Sequence, residues 1–240
     1  MKSSTLIVIP ARLDSKRLPR KLALEIEGKT LLQLCYESIK STTELKVVIA
    51  VDCLELGYIC QTFIQSNDDV VLINDFCENG TDRVSYLLQQ PEYKHIRKVI
   101  VVQGDEMLIP AGLLDKINKF LSMEKMVTVV TPIYEVDNLL NKHCVKAYIK
   151  DGYVTSLSRK YRQNDECEVF EHIGIYGYRT KSLLDLMREP STDLQLFENI
   201  ELIKALDNNY KVMVIPNEGP FLNVNVKKDL DSLVKLLGSR

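Results

Sequence analysis

The stretch TLIVIPA, residues 5–11, is apolar at nearly every position and decides the class of fold. Three similar runs follow it along the chain: KVVIAVD at 46–52, DVVLI at 69–73 and KVIVVQGD at 98–105. Segments with apolar residues at helical spacing separate these runs, at 30–40, 54–65 and 80–90. Strands that are apolar on both faces and alternate with helices are typical of a parallel sheet covered on both sides. The first half therefore predicts a Rossmann-like, mostly parallel α/β sheet flanked by helices.

The second half is less regular and predicts more strands. We expect strands at 126–134, 145–159, 170–178 and 211–216, and helices at 180–188, 194–207 and 227–237. The segment 145–159 contains Asp151-Gly152, a dipeptide typical of a hairpin turn. These patterns predict a mixed sheet with an inserted β-rich lobe, built as a single domain over residues 1–240.

Composition limits the classes of function. Of the 240 residues, 31 are Lys or Arg and 33 are Asp or Glu, so the formal net charge of −2 excludes a general polyanion-binding surface. No apolar stretch is long enough to cross a bilayer, and the N-terminal apolar run is too short for a signal peptide. We therefore expect a cytoplasmic protein with no membrane partner. The six cysteines form no C-x-x-C pair, which favours reduced thiols over disulfides or zinc.

A dense basic stretch follows the first predicted strand. Five cationic side chains lie within ten residues, namely Arg12, Lys16, Arg17, Arg20 and Lys21. Ligands of open α/β sheets bind at the carboxyl ends of the strands, and guanidinium groups match phosphate oxygens in geometry. Neither glycine-rich phosphate motif occurs in the sequence. The stretch predicts a phosphate site, with a solvated basic loop as the alternative. Nucleic-acid binding is disfavoured because no aromatic residue interrupts 8–24.

The run VVQGDE, residues 101–106, places a carboxylate at the end of a buried strand. Asp105 could hold Mg²⁺, a cation that prefers oxygen ligands and substrate phosphates. It could equally cap the turn from strand to loop. Gln103 shares a face with Asp105 if the extended conformation persists.

The run FEHIGIYGY, residues 170–178, alternates between two faces. His172, Gly174 and Tyr176 fall on one face, where polar tips flank a gap that suits a polyhydroxylated ligand. A single strand histidine is more often structural than functional. Weaker candidates are Thr81 and Arg83, at a helix start suited to anions, and Lys146 and Arg159, which could bind a carboxylate. Glu198 and Glu201 fall three apart on one predicted helix face. Taken singly, each of these is more often an ordinary surface residue.

Taken in order, these stretches resemble the 3-deoxy-manno-octulosonate (Kdo) cytidylyltransferases. The family's P-A-R and S-x-R-L-P-G-K elements appear as PARLDSKRLPRK at 10–21. The resemblance continues through AVD (50–52), NGTDR (79–83), VVQGDE (101–106), VKAYI (145–149), SR (158–159), EHIGIYGY (171–178) and FENIEL (197–202). It covers nearly the whole chain, and QGDE followed by HIGIYGY is specific to the Kdo branch.

The resemblance implies a fold similar to the nucleotide-diphospho-sugar transferases, with a nucleotide-binding half at 1–125 and a sugar-binding and dimerisation half at 126–240. It implies a Mg²⁺-dependent reaction in which CTP and a 3-deoxy-2-ulosonic acid give the CMP-sugar and pyrophosphate, for lipopolysaccharide or capsule synthesis, in a homodimer. The implied catalytic residues are Arg12, Lys21 and Asp105, and the implied metal ligands are Asp105 and Asn225. The nucleotide positions are Ala11, Arg12, Arg17, Lys21, Gly80, Thr81 and Asp105. The sugar positions are Arg83, Gln103, Lys146, Arg159, His172, Tyr176 and Glu198.

The chain departs from the family pattern at three places. Arg20 stands where the family has glycine, which adds a charge to the basic stretch. KYRQNDECEV follows Arg159 in place of the family's I-P segment. VNVKKDL, residues 224–230, replaces V-D-T-P-E-D-L, so that Asn225 takes the place of a metal-binding aspartate. These changes leave open a catalytically impaired nucleotide- or sugar-binding homologue, and a transferase for another ulosonic acid.

Overall fold

The computed structural model describes residues 3–15, 18–163 and 165–237. The chain forms two compact units. The first unit comprises Met1–Ile96, Val101–Asp115 and Gly219–Arg240, and the second comprises Arg97–Ile100 and Lys116–Glu218. The family resemblance implies a division at 125/126, whereas the boundaries of the units fall at 96/97, 100/101, 115/116 and 218/219. The C-terminal segment thus belongs with the N-terminal half.

Strands and helices alternate along most of the chain. The strands are β1 (Thr5–Ala11), β2 (Glu25–Ile26), β3 (Lys29–Thr30), β4 (Val47–Val51), β5 (Asp69–Leu72), β6 (Lys98–Val102), β7 (Met126–Pro132), β8 (Lys146–Lys150), β9 (Tyr153–Ser158), β10 (Glu168–Arg179) and β11 (Met213–Pro216). The helices are α1 (Leu31–Lys40), α2 (Leu54–Gln61), α3 (Gly80–Gln89), α4 (Leu113–Phe120), α5 (Val136–Leu140), α6 (Thr180–Arg188), α7 (Asp193–Glu198), α8 (Ile203–Asp207) and α9 (Lys227–Leu237).

In the first unit β4 runs parallel to both β1 and β5. Ile7 pairs with Val47, and Val48 pairs with Asp69. Every residue of β1 and β4 is buried, as expected for strands covered on both faces. The mixed α/β fold predicted from the alternating apolar runs is confirmed.

The carboxyl ends of the first unit's strands place polar residues at the start of their loops. Arg12 follows β1, Asp52 follows β4, and Gln103 follows β6. Both carboxylate oxygens of Asp52 accept from the backbone N–H of Leu13, each at 3.1 Å. This bond ties the loop after β1 to the end of β4.

The second unit is built around β10, which pairs antiparallel with both β7 and β8. β11 runs parallel to β7 and antiparallel to β9. β8 and β9 form the hairpin predicted at Asp151-Gly152, where both residues have positive φ, 53° and 80°. The register between β10 and β7 shifts between Ile173 and Tyr176, so a bulge interrupts the HIGIYGY strand.

One predicted helix differs from the structure, and several elements of the structure were not predicted. The helix predicted over 194–207 is two helices, because Asn199 takes a left-handed conformation (φ 52°) and ends α7. Asparagine adopts this conformation more readily than most residues. Helices α4 and α5 were not predicted, although Leu113, Leu114 and Ile117 of α4 are buried at helical spacing. The short β2–β3 pair was also not predicted.

Two further findings bear on the sequence analysis. In residues 3–15, 18–163 and 165–237 no helix has the length and apolar character needed to span a membrane. All six cysteines are free thiols, and three of them are buried. The reduced state expected from the absence of paired spacing stays a prediction.

Candidate active site

The residues of the basic stretch after β1 differ in their exposure to solvent. Ala11 is buried at the end of β1, and the side chain of Arg12 is exposed immediately after it. Lys16 and Arg17 lie outside the described residues. Arg20 is exposed, whereas Lys21 is only 8% exposed and begins a short 3₁₀ helix. Only part of the charge cluster is therefore at the surface.

Lys21 connects two distant parts of the first unit. Its ammonium forms an ion pair with the carboxylate of Asp105. The same ammonium donates to the backbone oxygen of Val224 at 2.8 Å. The backbone N–H of Val224 in turn donates to the backbone oxygen of Asp105 at 3.1 Å. These contacts bring together the basic stretch, the QGDE turn and the VNVKKDL segment.

Arg20 adopts the left-handed conformation that glycine favours, with φ 55°. Its guanidinium pairs with both carboxylate oxygens of Glu55 on α2. Both side chains are about half exposed. The Glu55 carboxylate, by hydrogen bond and by charge, raises the pKa of Arg20. The extra charge at this glycine position is thus balanced within the protein.

Asn225 is held by neighbours on both sides. Its backbone N–H donates to Asp229 at 2.7 Å, and its side-chain amide donates to the side-chain oxygen of Asn223. Asn223 donates to the buried carboxylate of Glu106 at 2.8 Å. A bridge between Glu106 and Asn223 joins the two segments of backbone. Asn225 is therefore held in place by Asp229 and Asn223, and it directly follows Val224, whose backbone bonds to that of Asp105.

The donor chemistry at this point resembles a partial magnesium site. Asp105 offers a carboxylate and Asn225 an amide oxygen, both ligands that Mg²⁺ accepts. Within the part of the chain that the structure describes, no three His, Cys, Asp or Glu side chains cluster as a metal site. Mg²⁺ commonly keeps several waters and takes one or two carboxylates plus substrate phosphates. The residues fit a metal that depends on phosphate and water for most of its ligands.

The start of α3 lies against the carboxyl end of β1. A methyl group at Gly80 would come within 2.9 Å of Pro10 and 3.2 Å of the side-chain amide of Gln103. Contacts below 3.0 Å are too close for a real Cβ atom, so glycine permits this approach. Thr81, the next residue, is 2% exposed. The NGTDR, PAR and QGDE motifs therefore meet in the first unit.

Arg83 is a buried cation. It is 6% exposed and donates to the backbone oxygen of Ile73 at 3.2 Å. Among the described residues no carboxylate lies within the 4.0 Å ion-pair distance of its guanidinium. Buried arginines are usually paired, and this one carries a charge that an anion could neutralise.

In the second unit Lys146 donates to the protein backbone. Its ammonium contacts three carbonyl oxygens, those of Asn141, Cys144 and Arg159, the last two at 2.8 and 2.9 Å. An ammonium has three protons, and in this conformation all three are used. Burial lowers the pKa of Lys146. The side chain joins the loop before β8 to the end of β9.

Glu198 and Arg159 form a second set of contacts next to this one. The buried carboxylate of Glu198 accepts from the hydroxyl of Ser158 at 2.9 Å and from the backbone N–H of Arg159 at 3.0 Å. The Nε of Arg159 donates to the backbone oxygen of Glu198 at 2.8 Å. Glu198 thereby fixes the backbone from which Arg159 projects.

His172 and Tyr176 lie together on β10, as their alternation predicts. Their rings stack with centroids 5.4 Å apart and an interplanar angle of 28°. The Nε2 atom of His172 lies 3.0 Å from the hydroxyl of Thr128. Burial, with a smaller contribution from Arg159, lowers the pKa of His172 to about 4. The imidazole is therefore neutral near pH 7.

The family model described as cytidylyltransferase matches residues 6–215. The chain belongs to the cytidylyltransferase family. It is 31% identical to the 3-deoxy-manno-octulosonate cytidylyltransferase of Francisella philomiragia, over 96% of this chain and 97% of that protein. It is 29% identical to the enzyme of the same name from Protochlamydia amoebophila, over 96% of this chain and 93% of that protein.

A solved structure of a CMP:2-keto-3-deoxy-manno-octonic acid synthetase complexed with CTP superposes with a TM-score of 0.82. The two chains are 25% identical, and the match covers 99% of each. The resemblance to the Kdo cytidylyltransferases inferred from the motifs is confirmed, as is the fold expected from it.

Several contacts of this cytidylyltransferase were not identified from its sequence. Val224 bonds to Lys21 and Asp105 through its backbone, and its residue type gives no indication of these bonds. Asn223 could have been recognised, because it alternates with Asn225 and therefore shares its face in an extended segment. Thr128 is a polar residue inside the apolar run MVTVVTP, and a fully buried hydroxyl requires a partner.

Proposed function

We propose that this protein transfers a cytidylyl group from CTP to Kdo, giving CMP-Kdo and pyrophosphate. The strongest support is the similarity to the Francisella philomiragia enzyme, which spans 97% of that protein and so includes both units of this chain. In the proposed reaction the anomeric hydroxyl of the sugar attacks the α-phosphorus of CTP. The hydroxyl loses its proton, and pyrophosphate leaves with the electrons of the broken P–O bond.

The first unit supplies groups suited to the triphosphate. Phosphoryl transfer depends mainly on positioning and on neutralising charge. We assign the phosphates to Arg12, whose side chain is exposed at the end of β1, and to Lys21. Arg17, Ala11, Gly80 and Thr81 remain proposed nucleotide contacts from the family resemblance. Lys21 is already ordered by Asp105 and Val224, so little side-chain entropy is lost when a phosphate binds.

We propose Mg²⁺ as the cofactor, held by Asp105 and Asn225 together with the phosphates. A bound Mg²⁺ would neutralise negative charge on the triphosphate. Asp105 contributes the anionic ligand, and Asn225 contributes an oxygen without charge. This donor set predicts weak binding of the metal without nucleotide and tighter binding with it.

The sugar is an acid with several hydroxyl groups, and the chain offers partners for both features. Arg83 and Gln103 of the first unit remain proposed sugar contacts from the family resemblance; among the described residues no carboxylate lies within ion-pair distance of the buried Arg83. In the second unit His172, Tyr176 and Arg159 are the proposed contacts. For Lys146 and Glu198, whose polar atoms bond within the protein, we propose that they hold this segment in place.

The test is turnover with a panel of sugars. Purified protein with CTP and Mg²⁺ is given Kdo, an amino-substituted Kdo and a nine-carbon ulosonic acid, and pyrophosphate release is followed together with the mass of the CMP-sugar. We expect Kdo to be the best substrate and the D105N variant to be at least about 100-fold slower. Binding of CTP without turnover of any sugar, with Mg²⁺ or Mn²⁺, would show the proposal to be wrong.

Two alternatives remain distinguishable in the same assay. A catalytically impaired homologue is suggested by Asn225, but the full-length similarity to named transferases favours an active enzyme. A transferase for another ulosonic acid would turn over that sugar in preference to Kdo.

We also propose a homodimer formed through the second unit. Helices α5 and α7 expose large apolar side chains, namely Val136 and Leu140 on α5, and Leu194, Leu196 and Phe197 on α7. Phe197 is 80% exposed. A Phe197→Glu change should shift the mass measured by sedimentation towards the monomer. Phe76→Glu, at an equally exposed phenylalanine of the first unit, should leave the mass unchanged.

We place the protein in the cytoplasm, in a route that consumes a CMP-activated sugar for a surface glycolipid or capsule. Six free thiols support a reducing compartment. Cell fractionation is the direct test, and recovery of the protein in the periplasm would contradict this placement.

A further inference from the structure

Thr128 lies in the interior of the second unit with its hydroxyl between two partners. It is on β7, is fully buried and pairs in register with Tyr176 of β10. Its Oγ1 donates to the backbone oxygen of Ile175 at 3.2 Å, within the bulge of β10. The same oxygen lies 3.0 Å from Nε2 of His172.

The proton of the Thr128 hydroxyl determines which nitrogen of His172 is protonated. A hydroxyl has one proton, and the carbonyl of Ile175 can only accept. When the proton points to Ile175, a lone pair of Oγ1 faces the imidazole, whereas a proton directed to Nε2 would leave the bond to Ile175 unmade. An unprotonated Nε2 would place two lone pairs against each other at 3.0 Å. Both bonds of the Thr128 hydroxyl are made only when Nε2 carries the proton, which leaves Nδ1 of the neutral ring as an acceptor.

The neutral ring is fixed in orientation as well as in protonation. Tyr176 stacks against it, with centroids 5.4 Å apart, and so defines the plane of the imidazole. Arg159, the charged group that acts on His172, disfavours a second proton on the ring. Burial has the same direction and the larger effect on the pKa.

We propose that Thr128 is a positioning residue that holds His172 in its Nε2–H tautomer, so that Nδ1 accepts a hydrogen bond from a sugar hydroxyl. The part concerning the sugar rests on the proposed function. The part concerning the tautomer does not, because it is a property of the ligand-free protein. Thr128 acts through His172 and need not contact the substrate.

The first experiment determines the tautomer directly. The chain has three histidines, so a long-range ¹H–¹⁵N spectrum at pH 7.5 contains three imidazoles, and H172Q identifies the signal of His172 by its loss. We expect the wild type to show the Nε2–H form. T128V, which keeps the shape but lacks the hydroxyl, should change the populations of the tautomers, and T128S should restore them. A wild-type ring protonated at Nδ1, or an unchanged tautomer in a folded T128V, would overturn the proposal.

The second experiment measures the consequence for the substrate. T128V should raise KM for the sugar about tenfold, the value of one hydrogen bond, and leave KM for CTP unchanged. T128S should resemble the wild type. Equal losses in T128V and T128S, or a parallel rise in KM for CTP, would indicate a merely structural role. If T128V does not fold, the wild-type spectrum and T128S decide the tautomer. If the wild type turns over no sugar, the proposed function fails while the spectrum still tests Thr128.

Discussion

Lys21 and Asp105, 84 residues apart in the sequence, form an ion pair that is largely withdrawn from solvent in the first unit. The Lys21 side chain is 10% exposed and that of Asp105 is 19% exposed. The pair joins a predicted phosphate ligand to a predicted metal ligand. A bound triphosphate would compete with Asp105 for the ammonium of Lys21, and a bound metal would compete with Lys21 for the carboxylate of Asp105. The ion pair therefore holds both charged groups in place until the substrate binds them.

The ion pair should be evident in a double-mutant cycle on stability. Removing one partner of a mostly buried pair leaves an uncompensated charge. We expect K21M and D105N each to lower the free energy of unfolding, and the double variant to lose about 1–2 kcal/mol less than their sum. Urea unfolding provides the measurement, with the exposed pair Lys150–Glu166 as a control whose coupling should be close to zero. Additive losses at Lys21 and Asp105 would argue against the pair.

Arg20 should be strained by its backbone conformation. A non-glycine residue at φ 55° pays roughly 1 kcal/mol that glycine does not. We expect R20G to be more stable than R20A by about 1 kcal/mol, since both variants lose the contact with Glu55 and only R20A keeps the strain. Urea unfolding of the two variants checks this. Equal stability, or a more stable R20A, would mean that the position is not strained.

Asn225→Asp should lower the stability of the metal-free protein and raise its affinity for Mg²⁺. A carboxylate at this position would face the side-chain oxygen of Asn223, which now accepts from the Asn225 amide. We expect a loss of about 1 kcal/mol in the free energy of unfolding without metal. With a non-reactive CTP analogue, Mg²⁺ should bind about tenfold more tightly, as measured by calorimetry.

A matched variant for this change is Asn67→Asp, which adds the same charge at an exposed position of the first unit. It should leave Mg²⁺ affinity unchanged. Equal affinity in N225D and the wild type would remove Asn225 from the proposed ligands.

Stability should fall in acid because His172 is buried in its neutral form. Its pKa is about 4 in the folded protein, below the ordinary value of 6.5, so the unfolded chain binds the extra proton between these two values. The contribution of the neutral His172 to the free energy of unfolding is fully present above pH 6.5 and is lost as pH falls towards 4. We expect the protonation of this residue to lower the free energy of unfolding by up to roughly 3 kcal/mol.

The measurement is urea unfolding at pH 7.5 and at pH 4.5. His172→Gln should reduce the loss of stability between the two values, whereas the same change at exposed His95 should not. An acid sensitivity that is the same in H172Q and the wild type would assign the effect to other groups.

The sequence predicted those features that follow from local patterns. The apolar runs predicted β1, β4, β5 and β6, and Asp105 became a candidate because a carboxylate at the end of a buried strand can hold Mg²⁺. The break at Asn199 was missed because the apolar spacing continues through it, although asparagine tolerates positive φ. The carbonyl contacts of Lys146 could not be predicted, since they depend on how the β8–β9 hairpin meets the preceding loop. The backbone partner Val224 was equally inaccessible, because every residue type has a carbonyl.

The contact between Lys21 and Val224 has a consequence for the newborn chain. The two residues are 203 positions apart, and ribosomes add on the order of 5–20 residues per second. Val224 is therefore synthesised roughly 10–40 seconds after Lys21, and the contact cannot form before then. All of the second unit emerges during that interval, because it lies before residue 219. Synthesis of the first unit begins before that of the second unit and ends after it. A chain that terminates before residue 219 therefore lacks part of the first unit.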